Sequence, residues 1–240
     1  MERPAFYAAR PGGWRDWWTI LHPPYTAWHL SYVVIGACLA PHLSGTRLLA
    51  TLLAFFFAVG IAAHALDELH GRPLHTAISN AWLMGLGAGG LVLACTLGFV
   101  GVATVGPGLI AFIVLGPVLV LGYNLELLGG WIHTDFGFAA AWGAFPVLVG
   151  YFVQSNRLDA TAGLAALAAL LFSLAQRYLS TPARALRRRV TQVDGRVRMT
   201  DGAVHELSQT VLVAPLERAL KSLSWAMVTL ALALLAARIS

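Results

Sequence analysis

The chain has 240 residues, of which 58% are hydrophobic and only 11% are charged. Soluble domains carry roughly 25% charged residues, so this composition excludes both a soluble globular enzyme and a disordered chain. The formal net charge is +5. The basic residues collect at the N-terminus and in one late segment, as in membrane proteins, so the charge does not indicate a nucleic-acid partner. Cys38 and Cys95 lie in apolar runs, which favours core residues over a disulfide or a metal site.

Apolar segments follow one another along most of the chain. A membrane-spanning helix needs about 20 predominantly apolar residues. Residues 1–18 show neither the apolar core nor the cleavage site of a signal peptide, so no removal is expected. The pattern predicts an all-α, polytopic transmembrane helical bundle of about seven helices. The predicted spans are roughly 25–41, 47–66, 77–100, 105–125, 136–154, 160–179 and 222–238.

The basic residues predict an orientation. The run Arg187-Arg188-Arg189 lies in the segment 181–221, which the positive-inside rule places in the cytoplasm. Counting back through alternating crossings places three further regions on the same side. They are the N-terminal segment 1–24, with Arg3, Arg10 and Arg15, and the loops 64–75 and 126–135. We therefore expect an integral protein of a bacterial inner membrane with a cytoplasmic N-terminus.

The basic loop 181–221 contains two predicted elements. Alternating residues around Asp194-Gly195 predict a hairpin, because Asp-Gly favours a tight hairpin turn. An apolar stripe beyond the hairpin predicts an interfacial amphipathic helix. Pro215 is expected to interrupt this helix before the C-terminal transmembrane segment 222–240.

The first polar cluster lies between His64 and His75. Polar residues are costly in a membrane and therefore suggest function. If the second helix continues to His70, then His64, Asp67 and Glu68 share one face. The two carboxylates could hold a divalent cation while Arg72 contacts an anion such as phosphate. The alternatives are a transition-metal site that includes the histidines, and a simple helix end with Asp67 or Glu68 paired to Arg72.

The second polar cluster lies between Tyr123 and Asp135. Glu126 follows a long apolar helix and could hold a metal or act as a base, with His133 and Asp135 behind it. The alternative is a solvated loop in which Asp135 caps the next helix. Trp131 is typical of an anchor at the membrane interface.

These motifs resemble the UbiA superfamily of intramembrane prenyltransferases over roughly residues 20–180. The second helix of that family ends in an acidic motif followed by Arg-Pro-Leu and an Ile-Ser helix start. The corresponding residues here are Asp67-Glu68, Arg72-Pro73-Leu74 and Ile78-Ser79, and the further matches are His22-Pro23-Pro24-Tyr25, Tyr123 and the segment Gly143–Tyr151. The resemblance implies that residues 25–180 form a UbiA-like bundle with a cytoplasmic cavity for an isoprenyl diphosphate, whose tail lies among apolar helices.

The resemblance also implies roles for individual residues. Asp67 would be a ligand of the diphosphate and Mg²⁺, with Glu68 a nearby acid, and Arg72 would contact a phosphate. Together with the polar clusters described above, this predicts Asp67, Glu68 and Glu126 as catalytic residues and Asp67 and Glu68 as the Mg²⁺ ligands. The expected ligand-binding residues are Arg72, His64, Tyr123, Asn124 and His75. The second Asp-rich motif of the family is missing, because the segment Gln176–Arg189 carries arginines instead. The chain is also about two helices shorter than the family's usual nine.

Three hypotheses about function follow. The first is an enzyme that transfers or processes an isoprenyl diphosphate, with Mg²⁺ as cofactor. The second is a non-catalytic UbiA-like protein that binds a lipid, quinone or pigment or serves as a subunit of a membrane complex. The third is a membrane enzyme with a metal held by His64, His70, His133 and the carboxylates of Asp67 and Glu68.

Overall fold

The computed structural model describes residues 4–10 and 12–239, except for the side chain of Leu128; Arg3 therefore lies outside the described residues. The fold is mostly helical. The helices are α1 (Trp14–Ile20), α2 (Pro23–Leu39), α3 (Gly45–Leu69), α4 (Asn80–Val105), α5 (Leu109–Asn124), α6 (Asp135–Ser155), α7 (Ala160–Arg189) and α8 (Gln209–Ile239). A single helical turn, Leu127–Gly130, follows α5, and two short strands, β1 (Arg196–Arg198) and β2 (Val204–Glu206), lie between α7 and α8.

The predicted apolar segments fall on helices α2 to α8. Five of these helices, α3, α4, α6, α7 and α8, are long and apolar enough to cross a membrane. Helix α5 is apolar but has 16 residues, and α2 has 17, so both are shorter than a typical span. Within the described residues, length and composition therefore support five crossings and indicate an integral membrane protein.

Helices α7 and α8 are longer than their predicted spans. Helix α7 continues to Arg189, and α8 begins at Gln209 and passes through Pro215 without a break, so most of the predicted loop 181–221 is helical. Contacts between the two helices explain the difference. Arg187 forms an ion pair with Glu217, and the Gln209 side-chain amide donates to the Leu186 carbonyl at 2.6 Å. This pairing stabilises both helices beyond their apolar parts.

The hairpin predicted around Asp194-Gly195 is not formed, and a different hairpin has its turn seven residues later in the chain. Strands β1 and β2 pair in antiparallel register, with Val197 opposite His205. The turn contains Asp201-Gly202, where the Asp201 carboxylate accepts from Ala203 N at 2.9 Å and Gly202 has a φ of +88°. The sequence holds two Asp-Gly pairs. The predicted pair, Asp194-Gly195, lies at the open end of the hairpin, where the Gly195 carbonyl accepts from Leu207 N.

Helix α2 is the central element of the bundle and packs against α6 and α8. The backbones of α2 and α6 touch at glycines. A Cβ atom on Gly36 would lie 2.1 Å from the Val147 carbonyl oxygen, and one on Gly150 would lie 2.3 Å from that of Val33. Substituting either glycine would therefore force the two helices apart.

Helices α3 and α6 each contain a π-helical segment. These segments are Phe56–Ala63 in α3 and Ala140–Ala144 in α6. A π-helical segment displaces the backbone carbonyls from the regular ladder and often occurs near functional residues. Val59 and Ala63 of the first segment and Trp142 of the second line the cavity described below.

Candidate functional site

A polar cavity of about 380 Å³ lies at one end of the bundle, between the starts or ends of several helices. The N-terminal segment, α2, α3, α5, α6 and α7 all contribute to its wall. The polar groups of the wall include Tyr7, His22, His29, His64, Asp67, Tyr123, Asn124, His133, Gln176, Arg177, Arg184, Arg188 and Arg189. The four regions that the sequence placed on one side of the membrane thus meet at one end of the molecule.

A second, apolar groove of about 280 Å³ lies between α3, α4, α5 and α6. Small and apolar residues form most of its wall, among them Ala54, Ala58, Leu91, Gly98 and Phe145. Val59 and Trp142 line both the groove and the polar cavity, so the two spaces adjoin. The arrangement places a charged chamber directly beside a space suited to a hydrocarbon chain.

Helix α7 supplies the positive charge of the cavity. Arg177, Arg184 and Arg188 are spaced seven and four residues apart and therefore share one helix face. Arg177 forms an ion pair with Asp135 at 2.9 Å, and Arg188 Nε donates to the Pro4 carbonyl at 3.2 Å. Within the described residues, Arg184 has one weak hydrogen bond, to Thr181 Oγ1 at 3.5 Å. Most of its donors therefore remain available to a ligand.

Asp67 faces the cavity, as the sequence predicts. Among the described residues its carboxylate has neither a hydrogen bond nor an ion pair, although Arg184 and Arg188 act on its charge at longer range. His64 lies one helical turn earlier and lines the same wall. These two predicted residues are brought together.

Glu68 does not face the cavity, which corrects its predicted role as a partner of Asp67. Its side chain is fully buried. Oε1 accepts from the backbone N–H and the hydroxyl of Thr76, both at 2.8 Å, and Oε2 accepts from Leu74 N at 2.9 Å. Consecutive residues on an α-helix point about 100° apart. Asp67 therefore reaches the cavity while Glu68 holds the following loop.

Arg72 and His75 also belong to that loop rather than to the cavity wall. Arg72 donates to the carbonyls of Thr76 and Ile78 and to the Asn80 side chain. It therefore pairs with neither Asp67 nor Glu68, contrary to one of the alternatives above. His75 is exposed and has a φ of +55°, as expected for a tight turn. The predicted phosphate contact of Arg72 has no geometric support, because its donors are used within the loop.

The second predicted cluster is also divided. Tyr123 and Asn124 are buried and line the cavity. Glu126 is exposed and lies outside the cavity wall, with its carboxylate 3.9 Å from His133 Nδ1. Asp135 is paired with Arg177, and the cap of α6 is Thr134, whose hydroxyl accepts from Gly137 N at 2.9 Å. The predicted capping role of Asp135 is therefore wrong.

Three cavity histidines are fixed by backbone carbonyls. The Nδ1 atoms of His29, His64 and His133 lie 2.9, 3.2 and 2.9 Å from the carbonyl oxygens of Trp142, Gly60 and Tyr123, respectively. A carbonyl oxygen only accepts, so Nδ1 carries the proton in each ring. The Nε2 atom of a neutral ring is then a hydrogen-bond acceptor. Gly60 and Trp142 belong to the π-helical segments, which explains how the helices orient two of these rings.

His22 completes this wall. Its ring stacks on that of His64 with centroids 4.1 Å apart, and its Nδ1 lies 3.1 Å from the Tyr7 hydroxyl. Burial, and then the nearby His64 and Arg188, hold the pKa of His22 well below its usual value of 6.5, so the ring is neutral at pH 7. Nε2 of His22 is buried and has no partner among the described residues, and the same is true of Oε1 of Gln176.

Sequence reasoning missed several of these residues as site candidates. His22 appears only as part of the entry motif, and His29 and Gln176 have no assigned role. The arginines from Arg177 to Arg189 are predicted as a cytoplasmic basic loop that could neutralise a diphosphate without Mg²⁺, not as one face of a helix. The spacing of Arg177, Arg184 and Arg188 was a usable signal, because it predicts one charged face if the helix continues. The contribution of His29 depends on the contact between α2 and α6, which no local pattern reveals.

The donor set does not fit the predicted Mg²⁺ site. Mg²⁺ prefers several oxygen ligands, commonly carboxylates and phosphates. Asp67 is the one carboxylate among the described cavity residues, and the neighbouring charges are guanidinium groups. The described residues also contain no group of three or more His, Cys, Asp or Glu placed to hold a metal ion, and His70 is exposed.

Comparisons of the chain with protein-family models, with curated proteins and with solved structures give no match.

Proposed function

We propose that this protein binds a membrane amphiphile with a phosphate-bearing head group, and that it transfers or processes an isoprenyl diphosphate as UbiA-like enzymes do. The observation that carries the proposal is the junction of the two spaces at Val59 and Trp142. The head group would lie in the polar cavity and the tail in the apolar groove. The resemblance in Arg72-Pro73-Leu74 and Gly143–Tyr151 supports the same proposal.

The charge and the shape of the cavity suit a phosphate. Guanidinium groups bind phosphate oxygens through two parallel hydrogen bonds, and such pairs are stronger away from bulk water. Arg184 and Arg188 are half-buried and line the cavity with most of their donors unused. The apolar groove beside them is suited to an isoprenoid tail, because burial of hydrocarbon is its main source of affinity.

The wall also suits the chemistry of transfer. When the C–O bond of an allylic diphosphate breaks, the electron pair leaves with the diphosphate, whose added charge the α7 arginines would stabilise. The allylic cation would lie near the junction, where Trp142 lines both spaces and Tyr123 lines the cavity, so that aromatic rings could stabilise its charge. The acceptor then forms the new bond, and its proton passes to Asp67 or to Nε2 of His64.

A non-catalytic protein of the same architecture is the second candidate. The observation that favours it is the arginine face of α7, in the position where the resemblance implies a second set of acidic residues. Such a protein would hold a lipid, a quinone or a pigment, or join a membrane complex. In both cases we propose that the cavity opens toward the cytoplasm of a bacterial inner membrane, because the Arg187–Arg189 run follows the positive-inside rule.

Ligand binding to the purified chain in detergent micelles tests the proposal. We expect farnesyl diphosphate to bind at least about tenfold more tightly than farnesol, which has the same tail, because the arginines contact only the diphosphate. Arg184→Gln should remove most of this difference. Arg157→Gln is the matched control, since Arg157 is exposed, and its guanidinium lies 3.9 Å from Asp159. Equal affinities for farnesyl diphosphate and farnesol in the unaltered chain would contradict the proposal.

A second measurement separates the two candidates. Release of diphosphate from farnesyl diphosphate in the presence of membrane extract supports the enzyme, provided that Asp67→Asn reduces it. Tight binding without release supports the non-catalytic protein.

A further inference from the structure

We infer that the polar cavity binds the phosphates of its head group through the arginines of α7 without a bridging divalent cation, and that Asp67 opposes this binding. The inference rests on the proposed function, since it specifies how the same cavity recognises its ligand. It departs from the Mg²⁺ site that the resemblance implies. The evidence is that some charged groups around the cavity already have partners in the protein, whereas others face the open space.

Among the described residues, the cavity wall does not offer the several carboxylates that a divalent cation needs. Both oxygens of Glu68 accept hydrogen bonds from Leu74 and Thr76 within the loop. Asp135 is paired with Arg177, and Glu126 is exposed outside the wall. Asp67 alone would offer a divalent cation a single carboxylate, and Arg184 and Arg188 line the same cavity. Positive groups so close to the site disfavour a second cation.

The donors needed for phosphate are present. Arg188 uses Nε for the Pro4 carbonyl, and Arg184 has one weak contact, so the two guanidinium groups keep several N–H donors for a ligand. Arg177 is neutralised by Asp135 and contributes less. Arg184, Arg188 and the exposed Arg189 line the cavity, and Asp67 is the one carboxylate among its described residues, so the chamber is positive, which suits a diphosphate carrying two or three negative charges.

Asp67 has the opposite effect from the one expected for a metal ligand. Asp67 lines the same cavity as Arg184 and Arg188, so a negative charge on its carboxylate would repel an anionic head group and attract the arginines that would hold the phosphates. Removal of that charge should therefore strengthen binding. In a site where Mg²⁺ bridges Asp67 and the phosphates, the same substitution would weaken binding, so the direction of the change distinguishes the two arrangements.

The test measures the affinity of the full-length chain in detergent for farnesyl diphosphate, once with EDTA and once with millimolar Mg²⁺. We expect affinities within about threefold of each other, a gain of about fivefold or more for Asp67→Asn, and a loss of about tenfold or more for Arg184→Gln. Arg188→Gln is a second variant that should also weaken the binding of farnesyl diphosphate. Arg157→Gln, remote from the cavity, should change the affinity less than about twofold. The thermal midpoint of each variant shows that the chain is folded.

The outcomes separate this inference from the proposed function. Binding that requires Mg²⁺ and weakens in Asp67→Asn overturns the inference and leaves the proposed function standing. Absence of binding under both conditions overturns both. Binding in EDTA that strengthens in Asp67→Asn and weakens in the two α7 arginine variants supports both.

Discussion

Two polar regions lie near the same end of the molecule and differ in how their charges are used. In the region from Glu68, at the end of α3, to Asn80, at the start of α4, Glu68 and Arg72 both have local partners. Glu68 accepts from Leu74 and Thr76, and Arg72 donates to two carbonyls and to Asn80. Asp16 of α1 joins this loop by accepting from Ala77 N at 2.9 Å. In the cavity beside it, Asp67 has no such partner among the described residues.

The comparison shows that a dense polar motif need not be a ligand site. A buried carboxylate with three hydrogen bonds is already satisfied, and its removal leaves donors unpaired. A group that faces a cavity without a partner keeps its hydrogen-bonding capacity for a ligand. Asp67 and Glu68 are neighbours in sequence, and the turn of the helix alone assigns them to the two regions.

The largest expected effect is on the loop. Glu68→Gln replaces a carboxylate oxygen by an amide NH₂ that faces N–H donors, so we expect a loss of about 2–4 kcal/mol in the free energy of unfolding. Thermal or denaturant unfolding in detergent, followed by circular dichroism, measures it. Asp67→Asn is the matched control one residue earlier, and we expect a change below about 1 kcal/mol. Equal losses in the two variants would mean that the two carboxylates are not in different environments.

Arg72 and Arg184 give the second test of the comparison. Arg72→Ala removes three local hydrogen bonds, so we expect a loss of about 1–3 kcal/mol in stability but unchanged affinity for farnesyl diphosphate in the folded fraction. Arg184→Gln should leave the stability nearly unchanged and weaken the binding of farnesyl diphosphate. A folded Arg72→Ala variant that loses about tenfold or more in affinity would instead support the phosphate contact implied by the resemblance.

The positions of the helices follow from the sequence because apolar, charge-free segments are the structures a membrane accepts. The ends of α7 and α8 do not follow from hydropathy. These helices continue past the apolar segments through the pair Arg187–Glu217, which lies on two helices separated by a hairpin. The π-helical segments cannot be predicted from the hydrophobic pattern either. The segment in α3, Phe56–Ala63, is apolar throughout, like the residues directly before it.

The candidate site was predictable only in part. The residues predicted and found at the cavity are His64, Asp67, Tyr123 and Asn124. Glu68, Arg72, His75 and Glu126 were predicted from the same motifs but lie outside it, because adjacent positions on helices and turns point in different directions. His22, His29 and Gln176 come from elements that meet only through tertiary packing. Residues that are close in sequence were therefore assigned to the site although some lie outside it, and the cavity residues contributed by distant elements were not predicted.

His22 predicts a smaller, pH-dependent effect on the cavity. Burial lowers its pKa well below 6.5, so the unfolded chain takes up a proton near pH 6.5 while the folded chain does not. The free energy of unfolding therefore has its full value above about pH 6.5. Below that pH it falls by about 1.4 kcal/mol per pH unit, because only the unfolded chain binds the proton. Between about pH 7.5 and pH 5.5, His22→Gln should lose about 1 kcal/mol less stability than the unaltered chain. Parallel stability curves for the two chains would show that this ring does not remain neutral when buried.

Glu126 gives the smallest expected effect and the sharpest contrast with Asp67. Both were predicted to be catalytic residues, but Glu126 is exposed, with its carboxylate 3.9 Å from His133 Nδ1, whereas Asp67 faces the cavity. An exposed pair of this kind contributes at most about 1 kcal/mol. We therefore expect Glu126→Gln to change the affinity for farnesyl diphosphate by less than about twofold, within the range of a surface substitution. A change comparable to that of Asp67→Asn would require the loop after α5 to close over the cavity when the ligand binds, which would extend the site beyond its present wall.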